Sequence, residues 1–367
     1  MLFAFKSYIG WLALFSIMTF HTGTASGQGL AAFMNFRDMF YAFDNGQLIK
    51  LEHIPIQNYK VGKWAIAYQK SNGSLMVYEN GQKTKLSEIV EEYQLTESLL
   101  VYQYNNTLYV YDGYNKTQLS LDCPYYKADK DVVAFYDRID KMFYLYYKGK
   151  FIEIEGALSN DPVRNFKLGD NLLAYLDAND YLRYYYREQR GQIMMAEGRP
   201  LYEVDKDIIA YYDPYNSAFK VFQKGQTHQL DMFKPVSFGL GDNRVAYVKN
   251  TGDFCVFEDG EEMTLSTITP QFYHVEDSLI VYEEMGYLKA YYDKQIYTLE
   301  NYIPSRMEYQ FNTLAYLNEQ RHLVAFSRGE KRTLSFEPVN NFAVYWGLVW
   351  YNTGVNTNKV FYNGKVY

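Results

Sequence analysis

Leu172-Leu173-Ala174-Tyr175-Leu176-Asp177 and Ile208-Ile209-Ala210-Tyr211-Tyr212-Asp213 are one phrase written twice, 36 residues apart. Leu279-Ile280-Val281-Tyr282 and Leu100-Val101-Tyr102 repeat it in shortened form. Aligning the chain on the small residue before the aromatic gives ten anchors: Ala32, Ala67, Val101, Ala134, Ala174, Ala210, Ala246, Val281, Ala315 and Val349. Their spacing stays between 33 and 40 residues. Self-similarity at such a period marks a repeat architecture.

Working outward from each anchor, a second aromatic run follows about ten residues later, as in Leu75-Met76-Val77-Tyr78 and Phe219-Lys220-Val221-Phe222. A turn glycine comes next in nine units, at Gly46, Gly81, Gly113, Gly149, Gly191, Gly225, Gly260, Gly329 and Gly364. The eighth unit has Asp293-Lys294 there instead. Asn-Gly and Asp-Gly after an aromatic strand are two-residue hairpin signals, because glycine accepts the positive φ of those turns. Eight of the nine prolines, Pro55 and Pro304 among them, fall 10–12 residues before an anchor. Proline donates no ladder hydrogen bond, so a strand start or connection suits it.

Helical solenoids share this period, but they need apolar residues at i, i+3 and i+4. Here the apolar residues cluster in runs of four to six β-formers between turn residues, which is strand chemistry. Each unit reads as four strands: A after the proline, B at the anchor, C at the aromatic run, D after the glycine. Tandem four-stranded antiparallel units arrange radially. The fold expected is all-β, a β-propeller of about ten short blades of about 35 residues. Eight or nine blades remain open if the terminal units pair irregularly. The 40 Tyr and 24 Phe fit this reading, since wide side chains fill the space between facing sheets.

The stretch before strand B reads Leu168-Gly169-Asp170-Asn171, Leu240-Gly241-Asp242-Asn243 and Val275-Glu276-Asp277-Ser278, and the units end on Thr264-Leu265 or Gln229-Leu230. This resembles the TolB-type blade of bacterial periplasmic propellers, at blade level. The Ser-Pro-Asp-Gly turn of that family is replaced by Gly-Asp-Asn or Glu-Asp-Ser. The resemblance implies a propeller that binds proteins or peptides, though fold alone does not carry function.

Residues 1–27 read as a secretory signal. Lys6 precedes an apolar run from Tyr8 to Phe20, and Ala25 and Gly27 supply small residues before Gln28. That run of about 13 residues is shorter than the ~20 a spanning helix needs. The mature chain is therefore expected to comprise one domain, 28–367, secreted or periplasmic and not inserted in a membrane. The full chain's 36 Lys and Arg against 43 Asp and Glu disfavour nucleic acid as a partner, which demands a basic face.

No catalytic elbow, phosphate loop, dinucleotide fingerprint or metal-ligand spacing is present, so no catalytic residue, metal or cofactor is assigned. Asp177-Ala178-Asn179-Asp180 reads as a B–C turn. Asp131, Asp170, Asp207, Asp242 and Asp277 precede strand B in successive units, which suggests turn capping. Cys123 and Cys255 fall in distant units and should not pair.

Polar residues around strand A vary where the rest of the unit repeats, as recognition of one asymmetric ligand requires. Arg164, Lys167, Glu203, His274, Glu276, Arg306 and Glu308 are the candidate ligand-binding residues, at the channel face built by strand A and the D–A connections. The same cations could equally bridge blades through Glu203, Glu276 and Glu308. The function expected is a non-catalytic exported binding or scaffold module with a protein, peptide or glycan ligand. The alternative is a secreted carbohydrate-active enzyme with its site at the channel mouth.

Overall fold

The computed structural model describes residues 29–156, 165–170, 172–196, 198, 200–355 and 357–367. The expected signal and Arg164 lie outside the described residues. Among the described residues 39 strands form ten antiparallel sheets, each built from strands consecutive in the chain. Nine sheets have four strands and the first has three. The blades span 30–52, 56–87, 92–120, 126–155, 166–195, 202–231, 237–266, 273–300, 307–335 and 339–366. Ten blades is the number of anchors.

The C–D hairpins close as the sequence demands. Asn80-Gly81 takes φ of 47° and 77°, and Asp293-Lys294 makes the same turn without glycine at 50° and 59°. Blade 5 departs from expectation. Its turn is Arg187-Glu188, with φ of 48° and 65°, and Gly191 lies inside the outer strand Gln189–Met195. Gly191 serves a different need: a Cβ there would strike the ring of Tyr184 on the adjacent strand. The tenth anchor also shifts by one. In most blades the anchor pairs with a residue at or beside the middle of strand C, as Ala315 does with Ala325, but in blade 10 it is Trp350 that pairs with Val360. The equivalent of the Tyr after each anchor is then Tyr351.

Blades pack through a recurring aromatic triplet. A strand-C Phe of one blade meets the first aromatic of strand A and the strand-B Tyr of the next. Phe40 meets Tyr59 and Tyr68, each at 5.1 Å between ring centroids. Phe219 meets Phe238 and Tyr247 at 5.0 and 5.3 Å, and Phe254 meets Tyr273 and Tyr282 at 4.9 and 5.3 Å. Each such pair contributes about 0.5–1.5 kcal/mol beyond area burial.

Blade 1 has no inner strand among the described residues, so strand Leu30–Met34 pairs only with Phe40–Asp44. Blade 10 leans across that position. The Tyr345 hydroxyl donates to the Ala32 carbonyl at 3.3 Å and lies 3.3 Å from the Tyr59 hydroxyl, while Trp346 Nε1 donates to the Val61 carbonyl at 3.3 Å. Phe33 stacks on Trp350 at 5.6 Å and Phe43 packs on Tyr367 at 5.4 Å, which closes the ring.

Candidate functional site

Antiparallel order fixes what each face of the ring carries. A–B and C–D turns share one face; B–C turns and D–A connections share the other. The inner wall is strand A, and three of its lysines each form a latch to the next blade. Lys60, Lys127 and Lys167 donate to the carbonyls of Tyr93, Phe166 and Tyr202 at 2.6, 2.7 and 2.8 Å. Each ammonium also lies over the ring of the residue whose carbonyl it holds, at 5.1, 4.6 and 5.1 Å. Arg306 makes the equivalent contact with Phe342, through its carbonyl at 3.2 Å and its ring at 4.4 Å. Burial lowers the pKa of Lys60 and Lys127.

The candidate ligand residues accordingly fall into separate groups. Lys167 pairs with Glu203 of the next blade at 2.6 Å. His274 lies 3.3 Å from Glu276, and its ring packs on Tyr309 of the next blade at 4.4 Å. Glu276 also accepts the backbone N–H of Phe311 at 3.2 Å. Arg306 reaches Asn341 at 2.5 Å and Glu308 at 3.8 Å. These groups sit at three different junctions, and each holds neighbouring elements together.

The A–B turns hold a denser charge cluster than the sequence suggested. Gly169 and Gly241 end strand A of blades 5 and 7. A Cβ on Gly169 would lie 2.5 Å from the Lys206 nitrogen, and one on Gly241 would run into the Asp277 carbonyl. The two glycines thus let the following turns close in. Lys130 pairs with Asp170 at 2.7 Å. Lys206 pairs with Asp242 at 3.0 Å and with Asp277, two blades away, at 3.2 Å. The aspartates expected to cap turns therefore also tie blades together. Burial opposes the charge on Lys206, but the two carboxylates outweigh it and raise its pKa. Asp129 and Asp205 end strand A of blades 4 and 6 with no cation at ion-pair distance among the described residues. Burial, reinforced by the charges of Asp170 and Asp205, pushes Asp129 up to about 7. Burial pushes Asp205 up to about 6, against the partial relief of Lys206.

The opposite face differs in kind. Nearly every described D–A connection exposes a large apolar side chain where a loop would be polar: Ile54, Ile89, Leu121, Phe233, Ile268 and Phe336 are 48–77 % exposed. B–C turns add Phe36, Ile139, Tyr215, Met285 and Val355, at 56–85 %. Backbone bonds such as Val90 N–H to Gly73 O at 3.1 Å hold a connection against the B–C turn of its own blade. The two sets therefore form one apolar crown around that rim. The turns of the charged face carry mainly Asn, Asp, Glu, Lys, Arg and Gly at their tips; Phe311 and Trp346 there are half-buried, and Tyr114 is exposed. Among the described residues no group of His, Cys, Asp and Glu is placed to hold a metal.

Among the curated proteins, none matches the chain significantly. Three solved structures resemble it at low identity. The computationally designed Ika8 protein matches with 13 % identity and a TM-score of 0.36, over 72 % of this chain and 93 % of that one. PorZ, a surface component of the type-IX secretion system of Porphyromonas gingivalis, matches at 9 % and 0.30, over 90 % of this chain and 56 % of that one. Hsv2 of Kluyveromyces lactis matches at 9 % and 0.35, over 77 % of this chain and 99 % of that one. The family model described as a 10-bladed beta propeller domain matches residues 24–367.

Proposed function

The chain belongs to the 10-bladed β-propeller family, and we propose that it is an exported, non-catalytic binding or scaffold module that takes a protein partner on its apolar crown. The observation that carries this is the crown itself. A half-exposed large apolar side chain offers roughly 100 Å², so eleven of them present on the order of 1,000 Å². They recur on one rim from blade 1 to blade 10, where surface apolar residues are ordinarily scattered singly. The channel supports the reading from the other side: Lys167 and Arg306 are committed to holding blades, which leaves the crown as the surface with unspent contact area. The likeness to TolB-type blades and the signal-like residues 1–27 point the same way, toward an envelope or extracellular role. Immobilised protein should retain a partner from its own envelope extract, and the triple variant Met232→Asp, Met285→Asp and Phe336→Asp should lose it, Met232 being the exposed neighbour of Phe233 in the same connection. Undiminished retention by that variant refutes the crown as the site. N-terminal sequencing of exported protein should begin at Gln28.

One observation favours the enzymatic alternative. Asp129 is a buried carboxyl of raised pKa that feels the charges of Asp170 and Asp205, which is what a general acid with carboxylates nearby requires. Turnover on a panel of glycans, abolished by Asp129→Asn, would establish it; its absence leaves the binding module.

A further inference from the structure

We propose that the occupant of the crown is a second copy of this chain, so that two rings stack crown to crown about a two-fold axis. This rests on the reading of the crown as a docking face and names what docks there.

Three features select this occupant. The first is extent. Exposed apolar residues recur from Phe36 in blade 1 to Val355 in blade 10, so they run around the rim and do not gather on one side. A small partner would cover two or three blades and leave the rest wet. A second ring covers all of them: about a two-fold axis blade i of one copy meets blade j of the other and j meets i, so an isologous contact needs only a self-complementary face.

The second is area. About 1,000 Å² of apolar surface on each copy exceeds the roughly 800 Å² per partner of a standard stable interface. The third is charge. The B–C turns and D–A connections carry five exposed cations (Arg37, Arg138, Lys141, Lys234, Arg321) among the described residues. Seven exposed anions are interspersed with them, Asp38, Asp140 and Glu337 among these. Two such faces can meet without strong repulsion. An anionic bilayer would instead require a run of Lys and Arg. Stacking would leave both charged mouths facing outward, giving a bivalent particle with two identical polar ends.

The test is the mass of the purified protein by light scattering and sedimentation, from nanomolar to tens of micromolar. The wild type should run at twice the chain mass at micromolar concentration. Met232→Asp, Met285→Asp and Phe336→Asp together should weaken association at least about hundredfold, leaving the chain mass. These side chains are 68–77 % exposed on turns and connections, so the triple variant should melt like the wild type. Tyr114→Asp, on the opposite face and 91 % exposed, should stay dimeric. A wild type that is monomeric throughout overturns the proposal, as does a dimer that survives the triple substitution. A monomer that floats with anionic vesicles through the crown overturns it in favour of a membrane. A monomer that retains an envelope protein, lost in the triple variant, also overturns the second copy but leaves the binding function standing.

Discussion

Replacing Asp129 by Asn should flatten the dependence of stability on pH. Asp129 ends strand A of blade 4, and its Oδ1 accepts the Lys130 N–H at 2.8 Å, a bond that Asn keeps. Its carboxyl stands at about 7 against an ordinary 3.8, first because of burial and then because Asp170 and Asp205 lie close. The folded state therefore holds a proton that the unfolded chain has released between about pH 4 and pH 7. Stability must fall as pH rises through that window, since it falls wherever the native state binds more protons. About three units correspond to roughly 4 kcal/mol at 1.36 kcal/mol each. The mouth is partly open to water, and screening reduces this to about 1–2 kcal/mol. Urea melts of the wild type should thus lose about that much between pH 4.5 and pH 8. Asp129→Asn should gain about 1 kcal/mol at pH 8 and little at pH 4.5. Asp205, at about 6, adds a shallower loss in the same direction. A carboxyl carbon of Asp129 that titrates below pH 5 by NMR, or a variant with the wild-type slope, would refute the reasoning.

Gly241→Ala should destabilise by more than about 2 kcal/mol, because its Cβ would meet the Asp277 carbonyl and lie 2.7 Å from Val275 Cγ1; denaturant melts read this directly, and a neutral result would mean that the turns do not close in as described. Lys167→Met should cost about 1–2 kcal/mol in the same assay by removing the bonds to the Tyr202 carbonyl and Glu203. Partner binding should be unchanged, whereas lost binding with an unchanged melt would return Lys167 to the ligand site. Burial holds the Cys123 thiol up at about 12, so a thiol reagent at pH 8 should label it only as fast as the protein unfolds.

The ring was legible in the sequence because every blade repeats the same short requirement. A small residue must sit mid-sheet beside a Tyr that packs on the preceding blade, and a turn must follow at a set distance. The reading slipped where two residues met that requirement equally or where the turn lacked its usual signature. Val349 and Trp350 are both buried, and only pairing with strand C shows that Trp350 is the anchor. Arg187-Glu188 adopts positive φ without glycine, while Gly191 looked like the turn and instead makes room for Tyr184.

The candidate site was harder to read for a physical reason. Lys167 and Arg306 stand out by charge, but their partners are backbone carbonyls and ring faces of the next blade, which leave no mark in the sequence. The acid cluster arises because Gly169 and Gly241 bring turns together across blades, a consequence of packing. The crown did leave a trace: Ile54, Ile268 and Ile303 stand one or two residues before Pro55, Pro270 and Pro304, in connections where turn chemistry calls for polar residues.

The central claim is that this propeller docks through its B–C and D–A face. Hydrogen exchange at low and high protein concentration tests it most directly. Slowed exchange confined to the D–A connections at 53–55, 88–91, 232–236, 267–271 and 336–339 and the B–C turns at 35–39, 138–141, 215–217 and 285–286 is the predicted result, with the A–B turns at 129–131 and 241–243 unchanged. Protection centred on those A–B turns, or none at any concentration at which the protein associates, would contradict it.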